Sequence, residues 1–99
     1  MQLRKQRLST EVTIPAEFKG KPVTAIGYRS FGNCHKLTSI IIPNSVTVIS
    51  DYAFSGCNGL KNISYKGTKA QWGSIAKGNN RNYNTGNYTI VCTDGKIEK

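Results

Sequence analysis

The sequence predicts a mainly β fold with one short helix: a parallel solenoid of about 23-residue coils, closed by a C-terminal helix and strand. Three observations carry this reading. Residues 23–40 recur 23 positions later, at 46–63. The recurring positions are apolar or small, so what repeats is a core pattern. Short alternating apolar runs stop at Pro15 and Pro43, as strands do, because Pro cannot donate to a ladder.

Length and composition set the frame. The chain has 99 residues, enough for one small domain. Hydrophobic residues make up 37%, below the usual ~45–50%, so the core is thin. No apolar window is long enough to span a membrane. The basic start, MQLRKQRLST, is followed by no apolar stretch, so as written the chain reads as cytoplasmic, without a secretory signal.

The repeat carries the architecture. Shifted by 23, Val23 falls on Val46, Thr24 on Thr47, Ile26 on Ile49 and Phe31 on Phe54. Cys34 then falls on Cys57, Leu37 on Leu60 and Ile40 on Ile63. Upstream, Val12-Thr-Ile14-Pro15 aligns with Ile40-Ile-Ile42-Pro43 once five extra residues are placed within Ala16–Pro22. One coil cannot close a core alone. Stacking at ~4.8 Å per strand buries Ile on Ile, Phe on Phe and Cys on Cys. The expected core is therefore Ile14, Ile26, Phe31, Cys34, Leu37, Ile40, Ile42, Ile49, Phe54, Cys57, Leu60 and Ile63, with Trp72 from the C-terminal helix.

In chain order, residues 1–10 read as a basic arm or edge strand, 11–66 as the coils and 67–99 as a C-terminal cap, all within one domain. Ile40/Ile42 and Ile63/Tyr65 point inward along short strands. Val23-x-x-Ile26 and Val46-x-x-Ile49 form a second extended stretch on the opposite wall. Ser30-Phe31 and Ala53-Phe54 fill the interior at the next bend. Thr68-x-x-Gln71 is a capping box opening a helix at about 69–77, stopped by Gly78. Trp72, Ile75 and Ala76 share its inner face. Residues 78–87 are a Gly/Asn-rich loop. A strand at about 87–92 follows, then an Asp94-Gly95 turn into Lys96-Ile97.

These residues resemble the BspA-like bacterial leucine-rich repeats, whose coil runs roughly I-x-I-P-x-S-V-T-x-I-G-x-x-A-F-x-x-C-x-x-L. Here the matching run is Ile40-Ile-Ile42-Pro43-Asn-Ser45-Val46-Thr47-Val-Ile49-Ser50-Asp-Tyr-Ala53-Phe54-Ser-Gly-Cys57-Asn-Gly-Leu60, with Ser50 in place of the usual Gly. The opening through Gly27 and the stretches Tyr65–Trp72 and Cys92–Gly95 are similar to segments that begin and close such arrays. The resemblance implies a leucine-rich-repeat-type solenoid and a binding or adhesion role. As a fragment of a typical member, the chain would lie at the cell surface or be secreted.

Catalytic chemistry finds no foothold. His35 is the only histidine, and its adjacency to Cys34 makes no Cys–His pair. Three cysteines without a C-x-x-C pair suit small buried side chains better than a zinc site. The expectation is a non-enzymatic monomer with no catalytic residue, metal or cofactor, binding another protein through outward strand positions. Thr13, Ile41 and Ser64 share one level, and Thr38 with Lys61 another; Lys66 borders them. Fourteen Lys+Arg against five Asp+Glu give a net charge of +9, which offers an alternative partner, a polyanion such as nucleic acid or a nucleoprotein. Lys36, Lys61 and Lys66 are expected near one strand face, with Lys69 close by.

Overall fold

The computed structural model describes residues 10–79, 85 and 87–98. The expectations for residues 1–9 and for most of the 78–87 loop lie outside the described residues. The chain is mostly strand with one short helix. In order, it forms β1 (Glu11–Thr13), β2 (Glu17–Phe18), β3 (Lys21–Pro22), β4 (Ala25–Ile26), β5 (Ser39–Ile42), β6 (Val48–Ile49) and β7 (Asn62–Tyr65). Then come α1 (Lys69–Ser74), β8 (Ala76–Lys77), β9 (Thr89–Cys92) and β10 (Gly95–Glu98).

Two sheets enclose the core. The wide one has the order β1-β5-β7-β9-β10, and the narrow one β4-β6-β8. Within the wide sheet β1, β5, β7 and β9 run parallel, with Val12 opposite Ile40, Ile40 opposite Ile63 and Ile63 opposite Ile90. In the narrow sheet Ile26 lies opposite Ile49, and Ile49 opposite Lys77. Residues 23 apart thus sit side by side in both sheets. Carbonyls recur in step as well. Thr10 O accepts from Thr38 N at 2.8 Å, and Thr38 O accepts from Lys61 N at 2.8 Å.

Between the sheets lie Leu37, Ile40, Ile42, Ile49, Phe54, Cys57, Leu60 and Ile63, all essentially without solvent exposure, with Phe31 and Cys34 beside them. Ile14, Ile26 and Trp72 are buried as well. The Phe31 and Phe54 rings stack at 5.9 Å, inclined by 22°. Each such side chain contributes about 1.5–3 kcal/mol on burial. Ser30, by contrast, is half-buried, its hydroxyl donating to Gly27 O at 2.8 Å.

The five extra residues of the first coil form the β2–β3 hairpin, in which Phe18 faces Lys21 across the turn. Its turn residues, Lys19 and Gly20, have φ of 53° and 79°, the left-handed pair of a two-residue hairpin. Left-handed residues also recur at the bends. Arg29 and Tyr52 lie 23 apart with φ of 52° and 56°, and Asn33 and Gly56 lie 23 apart with φ of 58° and 82°.

The C-terminal segment departs from its expected form. Thr68 caps α1 in a full capping box with Gln71, but the helix ends at Ser74, not near 77. Ile75 turns extended, with ψ of 130°, and Ala76–Lys77 then pair with Val48–Ile49 as β8. Strand pairing recovers backbone hydrogen bonds that a longer helix would have supplied, and it lengthens the narrow sheet. Ala76 is consequently exposed, while Trp72 and Ile75 are buried. The closing strand spans Thr89–Cys92 rather than beginning at 87, and β10 returns antiparallel through a turn at Thr93–Asp94. The C-terminal segment therefore extends both sheets, β8 adding to the narrow one and β9 and β10 to the wide one.

Candidate interaction surface

Alternation along β5 and β7 sends Ile40, Ile42, Ile63 and Tyr65 inward and the intervening residues outward. Thr13, Ile41, Ser64 and Val91 consequently form one transverse row, each paired with the next across the parallel ladder. Lys96 continues the row on β10, opposite Val91. A second row runs Glu11, Ser39, Asn62, Thr89 and Glu98. Thr13 is exposed, whereas Ile41, Ser64 and Val91 are half-buried by their neighbours. The result is a regular surface of hydroxyl and β-branched side chains with two apolar residues in one row.

Thr38 lies just before β5, its hydroxyl donating to Thr10 O at 2.9 Å. Lys61 and Lys66 are exposed and flank β7 at opposite ends. Four intervening strand residues put their backbones roughly 16 Å apart. They border the rows instead of forming one patch. Val91 escaped the sequence reading of this row, although the inward alternation of Tyr88, Ile90 and Cys92 already sends it outward.

Elsewhere the chemistry is quiet. Cys34 and His35 lie in a turn rather than on a strand, Cys34 buried and His35 exposed. Cys57 Sγ donates to Phe31 O at 2.8 Å, and burial, reinforced by the neighbouring Cys34, pushes its thiol up to about 12. The Cys92 thiol and the Tyr65 phenol are also raised, chiefly by burial. All three cysteines are buried and none is in a disulfide. Among the described residues, no three His, Cys, Asp or Glu side chains gather as a metal site. No described helix is long and apolar enough to cross a membrane.

A second feature went unread in the sequence. Arg29 lies over the rings of both Tyr28 and Tyr52, at 5.5 and 4.9 Å. Its Nε–H donates to the Tyr28 hydroxyl at 3.1 Å, and this bond holds the guanidinium pKa above its ordinary value. The 23-residue offset between Arg29 and Tyr52 was the signal that could have found it.

Comparison with known proteins agrees with this architecture. Residues 6–89 match a family model of the BspA type leucine rich repeat region (6 copies). The structure is similar to that of a leucine rich cell surface protein from Faecalibacterium prausnitzii A2-165, with a TM-score of 0.64 and 26% identity over 86% of this chain. The chain spans only 25% of that protein's length. No curated protein matches. Leucine-rich repeat proteins of this kind are generally non-enzymatic. With a family match over most of its length, the chain belongs to the BspA-type leucine-rich repeat proteins.

Proposed function

We propose that the chain is a short parallel solenoid acting as a non-enzymatic protein–protein interaction module. It binds its partner through the outward face of the wide sheet, at Thr13, Thr38, Ile41, Lys61, Ser64 and Lys66. The observation that carries this reading is the in-register row Thr13–Ile41–Ser64–Val91, whose apolar members lie half-buried on an otherwise polar face. A regular array of this kind presents a preorganised surface, so binding orders few side chains. Membership of a repeat family and a neighbour named as a cell surface protein support a binding role. The polyanion alternative draws less support, because Lys61 and Lys66 lie at opposite ends of β7.

Affinity capture on the immobilised chain tests the proposal, with an Ile41→Asp/Lys61→Glu double variant alongside. A partner protein retained by the native chain and released by the double variant supports it. Equal retention by both chains overturns it. Capture of nucleic acid instead, falling steeply between about 50 and 200 mM salt, favours the polyanion reading.

A further inference from the structure

We infer a second docking site, on the outer face of the narrow sheet, that takes an acidic–apolar peptide segment of a protein partner. A shallow groove of about 430 Å³ runs there, lined by Tyr28, Val48, Ile49, Asp51, Ala76 and Lys77 among others. Three large hydrophobic side chains of the described residues are markedly exposed, and two of them, Tyr28 at 58% and Val48 at 40%, line this one groove. Clustered exposed apolar residues mark binding surfaces more often than scattered ones do.

Arg29 supplies the polar anchor. The Tyr28 and Tyr52 rings meet edge-on at 6.0 Å, and the guanidinium lies over both. Nε donates to the Tyr28 hydroxyl, and the side chain is exposed, so its two Nη groups are accessible as a planar pair of donors. A planar fork of this kind matches a carboxylate in bidentate geometry. The flanking rings hold it in place before a ligand arrives, which lowers the entropy lost on binding. A partner's Asp or Glu would seat on Arg29 while an adjoining apolar side chain enters the groove beside Tyr28 and Val48.

Charge complementarity selects this occupant over a nucleic acid. Lys77, the cation that lines the groove, is committed to the helix end, donating to Trp72 O at 2.6 Å and Ile75 O at 3.2 Å. Asp51 places a carboxylate in the lining, where it accepts from Asn79 N at 2.8 Å. One outward cation beside an acidic group and an apolar trough suits a single carboxylate with an apolar neighbour. A polyphosphate chain needs several cations in line.

The test titrates the isotope-labelled full chain, followed by NMR, with a capped peptide of alternating Glu and Leu. Its Gln-for-Glu counterpart and a single-stranded RNA oligonucleotide serve as the other arms. The expected result is saturable shifts at Tyr28, Arg29, Val48 and Ala76 with the acidic peptide. Affinity should fall at least about tenfold for the Gln peptide or for the Arg29→Gln chain. Arg29→Lys, which keeps the charge and loses the fork, should fall between the two. Tyr28→Ala provides a second variant that does not alter charge and should also weaken binding. The Ile41→Asp/Lys61→Glu chain should bind the peptide as the native chain does, which separates this site from the wide-sheet proposal. Undiminished binding by Arg29→Gln, shifts confined to the Thr13–Ile41–Ser64 row, no peptide binding, or tighter binding of the RNA would each overturn the inference.

Discussion

The two sheets are built from the same 23-residue repeat, yet they treat their outward residues differently. Wide-sheet strands are mostly four residues long, so each coil contributes both inward and outward side chains, and neighbouring rows shield one another. Ile41 is half-buried on that outer face. The narrow-sheet strands are two residues long. With only one outward residue per strand, Val48 has little lateral cover and stays 40% exposed. Repetition organises a broad surface where strands are long. Where they are short, it leaves isolated apolar side chains and gives a basic residue room to stack at the bend.

The inner faces differ too, and core truncation should measure by how much. Ile63 lies between Ile40 and Ile90, whereas Ile49 lies between Ile26 and the half-buried Lys77. Ile63→Ala should cost near the top of about 2–5 kcal/mol in denaturant unfolding, and Ile49→Ala distinctly less. Equal costs would break the comparison. Leu60→Ala, at the junction leading into β7, should fall in the same range.

The bends that join the sheets should respond next. A Cβ at Gly56 would collide with Asn33 Oδ1 and crowd the Asn33 backbone, while one at Gly20 meets nothing within 4 Å. Both glycines are left-handed. Gly56→Ala should therefore destabilise by more than the roughly 1 kcal/mol of backbone strain expected for Gly20→Ala. Similar losses in urea titrations would show that strain alone matters.

Alkaline pH separates the interior from both outer faces. The Cys57 thiol is raised in the folded state, so folding stabilises its protonated form. That contribution is complete below the ordinary thiol pKa of 9.0 and is lost as pH rises toward about 12. Stability of the native chain should decline over that window, and Cys57→Ala should decline less steeply. Parallel curves would remove the thiol from the account. Smaller still is the helix cap. Thr68→Ala removes the side-chain bond to Gln71 N, 3.1 Å in length, and should cost about 1 kcal/mol in thermal unfolding.

Much of the wide sheet was legible because identical residues superpose at one offset: Ile40 on Ile63, Leu37 on Leu60, Cys34 on Cys57. The same arithmetic located the five extra residues that form the hairpin, although not the hairpin itself. Its Lys19-Gly20 turn lacks the Asn-Gly or Asp-Gly signature of such turns. The helix end was misread because Trp72, Ile75 and Ala76 fit helical spacing, while the competing pairing of Ala76 with Val48 joins residues 28 apart in sequence. The Tyr28–Arg29–Tyr52 cluster stayed hidden for a related reason. A left-handed Arg is rare, so nothing local announced the turn that sets its side chain over Tyr52.

Left-handed backbone at Arg29 and Tyr52, and again at Asn33 and Gly56, means that the 23-residue period holds at the corners as well as in the interior. At these corners the backbone path repeats while the side chains standing on it do not. Arg now stands above Tyr and Asn above Gly, where the core keeps Phe above Phe. Novelty in such an array can therefore arise at its corners without altering how one coil seats on the next.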